Sequence, residues 1–137
     1  MRVNWLAIGV STIVFFLFGW AWYAAFGSAW ANALGSTREA MMAANASNPY
    51  PYIVALVAAF FISYGVARVL SWHPTASPGR AAFIGFSLGF LFVGMSLWMS
   101  YAYEHRTIAL GLINTGYYSF GMAIVAAILA AWKPKAA

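Results

Sequence analysis

Residues 51–72 read PYIVALVAAFFISYGVARVLSW. Crossing about 30 Å of hydrocarbon takes roughly 20 mostly apolar helical residues, and this stretch supplies them. Its one ionisable residue, Arg68, stands a turn from the end, where a long aliphatic stem carries the guanidinium to the interface. Tyr52 and Trp72 mark the two ends with the aromatic types that favour the membrane–water boundary. The stretch therefore reads as a transmembrane helix.

Three other runs read the same way. They extend from about Asn4 to Phe26, from Arg80 to Tyr103 and from Thr107 to Trp132. Trp5 and Trp22 bracket the first, Trp98, Tyr101 and Tyr103 close the third, and Trp132 closes the fourth. Pro49 and Pro51 stop a helix from running through into the second span, and Pro74 and Pro78 do the same before the third. The expected fold is all-α: a single membrane domain over 1–137, built as a bundle of four transmembrane helices with one long loop at 27–49.

Composition agrees. Hydrophobic residues make up 64% of the 137 and charged residues 7%, against about 25% charged in a soluble domain, so most of the surface faces lipid. The absence of cysteine removes disulfides, thiolate nucleophiles and Cys-based metal sites. The net charge of +5 does not indicate nucleic acid, because the basic residues are scattered singly and form no phosphate-binding patch.

Those basic residues instead set an orientation. Arg2, Arg68, Arg80, Lys133 and Lys135 fall on one side; Arg38 and Arg106 fall on the other, each near an acid, Glu39 and Glu104. The positive-inside rule then places both termini and the middle loop in the cytoplasm, in an inner (cytoplasmic) membrane. The first span resembles a signal peptide in having Arg2 ahead of it and Ala29-Trp30-Ala31 after it. Its apolar run exceeds the 7–15 residues of a signal core, and Trp20, Trp22 and Tyr23 are bulky there, so a retained span is expected. In the long loop, Ser36 or Thr37 can cap a short helix with Glu39 in its first turn. That helix would lie on the outer membrane face; an ordered loop over the helix ends is the alternative.

An internal echo links Ser63-Tyr64-Gly65-Val66-Ala67 to Ser119-Phe120-Gly121-Met122-Ala123. It would make the chain two related hairpins in parallel orientation, although short matches also arise by chance in so biased a composition.

Polar and small residues then suggest how the spans pack. At 100° per residue, Gly85, Gly89, Phe92, Ser96, Ser100 and Tyr103 fall on one face of the third span. Gly85-x-x-x-Gly89 permits close backbone approach, and Ser96 and Ser100 can bond across the contact or back to their own helix. The fourth span aligns Gly111, Asn114, Tyr118 and Gly121. Asn114 is costly in lipid and should face protein. The first span aligns Thr12, Phe16, Gly19 and Tyr23, and these faces are expected to meet in the bundle core.

Glu104-His105-Arg106 is the densest ionisable cluster. It can be an interfacial pair fixing a tight turn or a proton or cation acceptor at an outer vestibule; interfacial charge is cheap, which favours the turn. Tyr23, Glu104, Arg106, Asn114 and Tyr118 are thus the candidate polar site. No catalytic constellation emerges: two acids and two histidines make neither a paired-carboxylate site nor a metal cage, no base stands ready to activate a serine, and no cofactor motif occurs.

The order Asn4-Trp5, Gly19-x-x-Trp22-Tyr23, Phe26-Gly27-x-x-Trp30, Glu104-x-Arg106 and Asn114-x-x-Tyr117-Tyr118 resembles the small bacterial membrane proteins of the domain of unknown function 1761 family. The resemblance covers nearly the whole chain and implies a four-helix membrane fold, with no activity or catalytic residues to carry over. Where that family commonly has Ser-Pro after its Trp-Tyr pair, this chain has Ala24-Ala25.

The expected function is non-catalytic: an accessory or structural subunit that packs against membrane lipids, other membrane proteins, copies of itself or hydrophobic cofactors. The alternative is a small oligomeric transporter or channel lined by Ser96, Ser100, Asn114 and Tyr118.

Overall fold

A computed structural model describes residues 2–133; Lys135, one of the basic residues in the topology signal, lies outside them. Five helices follow in order: α1 Trp5–Ala33, α2 Arg38–Ala46, α3 Tyr50–Ser71, α4 Pro78–Tyr103 and α5 Ile108–Ala131. All but α2 are long and apolar enough to cross a membrane.

Local chemistry sets the helix starts. Side-chain oxygens of Asn4, Thr37, Ser77 and Thr107 accept from the backbone N–H three residues on, satisfying one otherwise orphaned donor in each first turn. Pro51 in the first turn of α3 and Pro78 in that of α4 remove donors that have no helical partner anyway. α1 ends where Gly35 takes a left-handed conformation (φ 74°) and Ser36 N–H closes back on the Ala31 carbonyl at 2.9 Å. α4 ends on the same motif with His105 (φ 57°) in the glycine position and Arg106 N–H donating to the Tyr101 carbonyl at 2.8 Å.

α5 is the hub, packing on α4, α1 and α3, with its largest interface on α4. Gly85 and Gly89 lie directly against the backbone of Met122 and of Tyr118–Ser119. This is the close approach expected of that pair. On its other side α5 offers Gly121 to Phe15 and Gly116 to Trp22, while Gly19 of α1 receives the Tyr117 ring. Gly111 takes the Trp98 ring of α4.

The third-span face changes partway along. Phe92, Ser96, Ser100 and Tyr103, expected on the stripe of Gly85 and Gly89, are all exposed. The cause is a π-helical segment, Leu88–Gly94, inside α4. Wider turns insert an extra residue and advance everything beyond them by one position. The buried line therefore runs Gly85, Gly89, Gly94 and then along half-buried Leu97, Trp98 and Tyr101. Ser96 Oγ bonds back to the Phe92 carbonyl of its own helix, the second of the two roles open to it; Ser96 and Ser100 are exposed and do not join the helix-packing face with Gly85 and Gly89.

The first span is also longer than expected. α1 does not stop at Phe26 but continues to Ala33, about 43 Å at 1.5 Å per residue. Nothing between Ala24 and Ala33 breaks a helix, and Gly27 and Ala31 are buried. The loop expected at 27–49 is thus the end of α1 followed by α2. Trp22 is not a boundary marker but a packing residue whose Nε1 donates to the Ile113 carbonyl at 3.1 Å.

The bundle is tied together at one end, around a hollow of about 540 Å³ lined by Asn4, Ala67, Trp72 and Trp132 among others, and α3 leaves it toward the other. At the terminal end, Asn4 Nδ2 donates to the Trp132 carbonyl (3.3 Å) and Lys133 Nζ to the Pro74 carbonyl (2.7 Å), gathering both ends of the described chain and the α3–α4 turn. Here small residues bring α3 in, with Ala7 and Ser11 buried on α1 and Ala59, Ser63 and Ala67 on α3, and Trp5 stacks on Tyr64 at 5.5 Å. Toward the α2 end, every α3 residue over 51–58 is exposed. The sequence echo is only partly matched: Ser63 and Ser119 are both buried, but Gly65 has open space beside it whereas Gly121 is covered by Phe15.

Candidate functional site

Two features sit in the half of the bundle that bears α2. The first is a polar knot in the core. Tyr23 of α1 donates its hydroxyl to Asn114 Oδ1 of α5 at 2.5 Å, and Asn114 Nδ2 donates to the Tyr101 hydroxyl of α4 at 2.9 Å. Three helices are thereby tied through one buried amide, as a polar group among apolar neighbours requires. Aromatic rings surround it: Tyr117 lies 5.3 Å from Tyr23 and 4.9 Å from Tyr118 between ring centroids, and Trp30 meets Tyr23 edge-on at 5.5 Å.

Of the candidate polar residues, the structure brings Tyr23, Asn114 and Tyr118 into this region. Glu104 and Arg106 lie apart from it on the exposed α4–α5 turn, 4.0 Å from each other with both side chains about half exposed. Such a pair is weakly coupled in water. Tyr101 is the member of this knot absent from the candidate polar site read from the sequence. Its position near the end of the third span made it resemble a boundary aromatic, and only the π segment turns it inward.

The second feature is a lateral cleft of about 570 Å³ between α1 and α3, roofed by α2. Phe15, Phe16 and Gly19 form its floor, Ala55 and Ala58 one wall, and Met41, Met42 and Asn45 the underside of the roof. Tyr23, Tyr117 and Tyr118 line the side nearest the polar knot. α2 is held down by Arg38, whose Nη1 donates to the Ala24 carbonyl at 3.0 Å. The guanidinium passes over Gly27, where a Cβ would meet Nη1 at 3.4 Å. That volume falls within the roughly 300–1,000 Å³ of ordinary small-molecule sites. Among the described residues, no three of His, Asp and Glu come together as a metal-binding group.

A family model described as "Protein of unknown function (DUF1761)" matches residues 6–130. No curated protein and no solved structure matches the chain.

Proposed function

Since this chain belongs to the DUF1761 family, whose description names no activity, we propose from its geometry that it is a non-catalytic accessory or structural subunit of a bacterial inner membrane. It works by packing against other membrane proteins, copies of itself, lipids or hydrophobic cofactors. The observation that carries this reading is the cleft: a preformed, largely apolar surface, open sideways, whose α3 wall over 51–58 is exposed throughout. The polar knot beneath it supports the same reading, because Asn114 joins the hydroxyls of Tyr23 and Tyr101 and so ties α1, α4 and α5 together.

Both termini are assigned to the cytoplasm. In support, Arg2, Arg68, Arg80 and Lys133 belong to the terminal end of the bundle, whereas Arg38 and Arg106 belong to the end bearing α2. The transporter reading is less well supported. Ser96 and Ser100 are exposed while Asn114 is buried and Tyr118 half-buried, so a path lined by all four would have to be completed by further copies.

Purification from native membranes in mild detergent tests the proposal. A foreign membrane subunit that co-purifies stoichiometrically supports it. A symmetric homo-oligomer that conducts ions in planar bilayers contradicts it.

A further inference from the structure

We propose that the cleft between α1 and α3 holds an acyl chain of an anionic membrane phospholipid, with the lipid phosphate seated on the free edge of the Arg38 guanidinium. The inference deepens the accessory reading by naming what fills the cleft. Three observations carry it.

The first is charge. Arg38 is the only formally charged residue lining the cleft. Among the described residues the one ion pair is Glu104 with Arg106, so Arg38 has no carboxylate partner, its chain neighbour Glu39 included. One of its five N–H donors reaches the Ala24 carbonyl, which leaves a fork suited to phosphate.

The second is dimension. The cleft follows α1 from Phe15 to Trp30, about 22 Å of helix. One leaflet contributes about 15 Å of hydrocarbon, so the length spans a leaflet and its headgroup zone. Arg38, Trp30 and Asn45 lie at the headgroup end and Phe15, Phe16 and Ile62 at the deep end.

The third is access. With residues 51–58 of α3 exposed, the opening faces the bilayer sideways, and a chain can enter without leaving the membrane. The lining suits a flexible occupant: small Ala55 and Ala58 on one wall, adaptable Met41 and Met42 above.

The test uses full-length protein in vesicles of equal dioleoylphosphatidylglycerol and dioleoylphosphatidylcholine, extracted in mild detergent and weighed by native mass spectrometry. The expected result is one retained lipid per chain, with the anionic species favoured about fivefold, the factor typical of one basic side chain near a membrane surface. Arg38→Gln should bring the ratio close to one. Ala58→Trp, which fills the cleft without touching the charge, should lower retention of both lipids. Circular dichroism checks the fold of each variant. If Arg38→Gln does not fold, Arg38→Lys carries the charge test and should keep the preference. Equal retention of the two lipids by the unmutated protein, or full retention in Ala58→Trp, overturns the proposal. A foreign chain retained in place of lipid overturns it too, while leaving the accessory reading intact.

Discussion

Replacing Gly89 with Ala tests the packing that organises the bundle. A methyl there would press on the Tyr118 carbonyl and the Ser119 Cα of α5. These are backbone atoms, which cannot swing aside as a side-chain tip can, so the two helices must part. Overfilling a packed contact costs about 1–3 kcal/mol, and exchanging Gly for Ala in a helix returns about 0.5–1 kcal/mol. The net expectation is a loss of up to about 2.5 kcal/mol. Gly65 provides the control, because nothing lies within 4 Å of a methyl at that position; Gly65→Ala should be neutral or stabilising by about 0.5–1 kcal/mol. Both variants can be compared by reversible unfolding in mixed micelles of rising dodecyl sulfate fraction, followed by circular dichroism. Equal midpoints for the two would refute the reasoning, since they would mean that the Gly89 face does not bear on α5.

Asn114→Leu should cost about 1–3 kcal/mol, because it leaves the Tyr23 and Tyr101 hydroxyls without the amide that joins them; the same unfolding assay measures it, and a wild-type midpoint would show that the knot contributes nothing. Glu104→Gln should change stability by less than about 1 kcal/mol, since its pair with Arg106 is long and half exposed. Proteoliposomes of the unmutated protein should show no pH-driven flux; a flux abolished by Glu104→Gln would reassign that turn to transport. Reporter fusions after Trp72 and at the C-terminus should both read cytoplasmic, and an external signal at either overturns the proposed orientation.

The spans were legible in sequence because they depend on quantities that add along the chain: apolar length, interfacial aromatics and prolines between runs. The second and fourth came within a residue or two of α3 and α5, and Gly85 and Gly89 were identified as a close-contact pair from spacing alone. What sequence concealed was geometry with no residue signature. No amino acid in Leu88–Gly94 encodes a π turn; the wide turns arise as α4 fits against α5, and by shifting the register they exchange Ser100 for Tyr101 at the interface. The overrun of α1 was hidden for a related reason. Interfacial markers such as Trp22 were read as boundaries, when the ring serves to cover Gly116. The cleft was invisible because it depends on where α3 leaves the bundle, a tertiary property: Ala59, Ser63 and Ala67 are buried, whereas residues 51–58 ahead of them are all exposed.

The central feature of the fold is that α1 and α3 pack together toward the terminal end and part beside α2, and cysteine cross-linking in membranes measures this directly. The sequence contains no cysteine, so paired substitutions report without background. With a short bifunctional maleimide, Trp5→Cys with Tyr64→Cys should cross-link efficiently, since those side chains stack toward the terminal end. Trp20→Cys with Ala55→Cys, on the two helices that flank the cleft, should join far less efficiently. Efficient joining of the second pair would mean that α3 lies against α1 along its whole length, and the cleft would not exist.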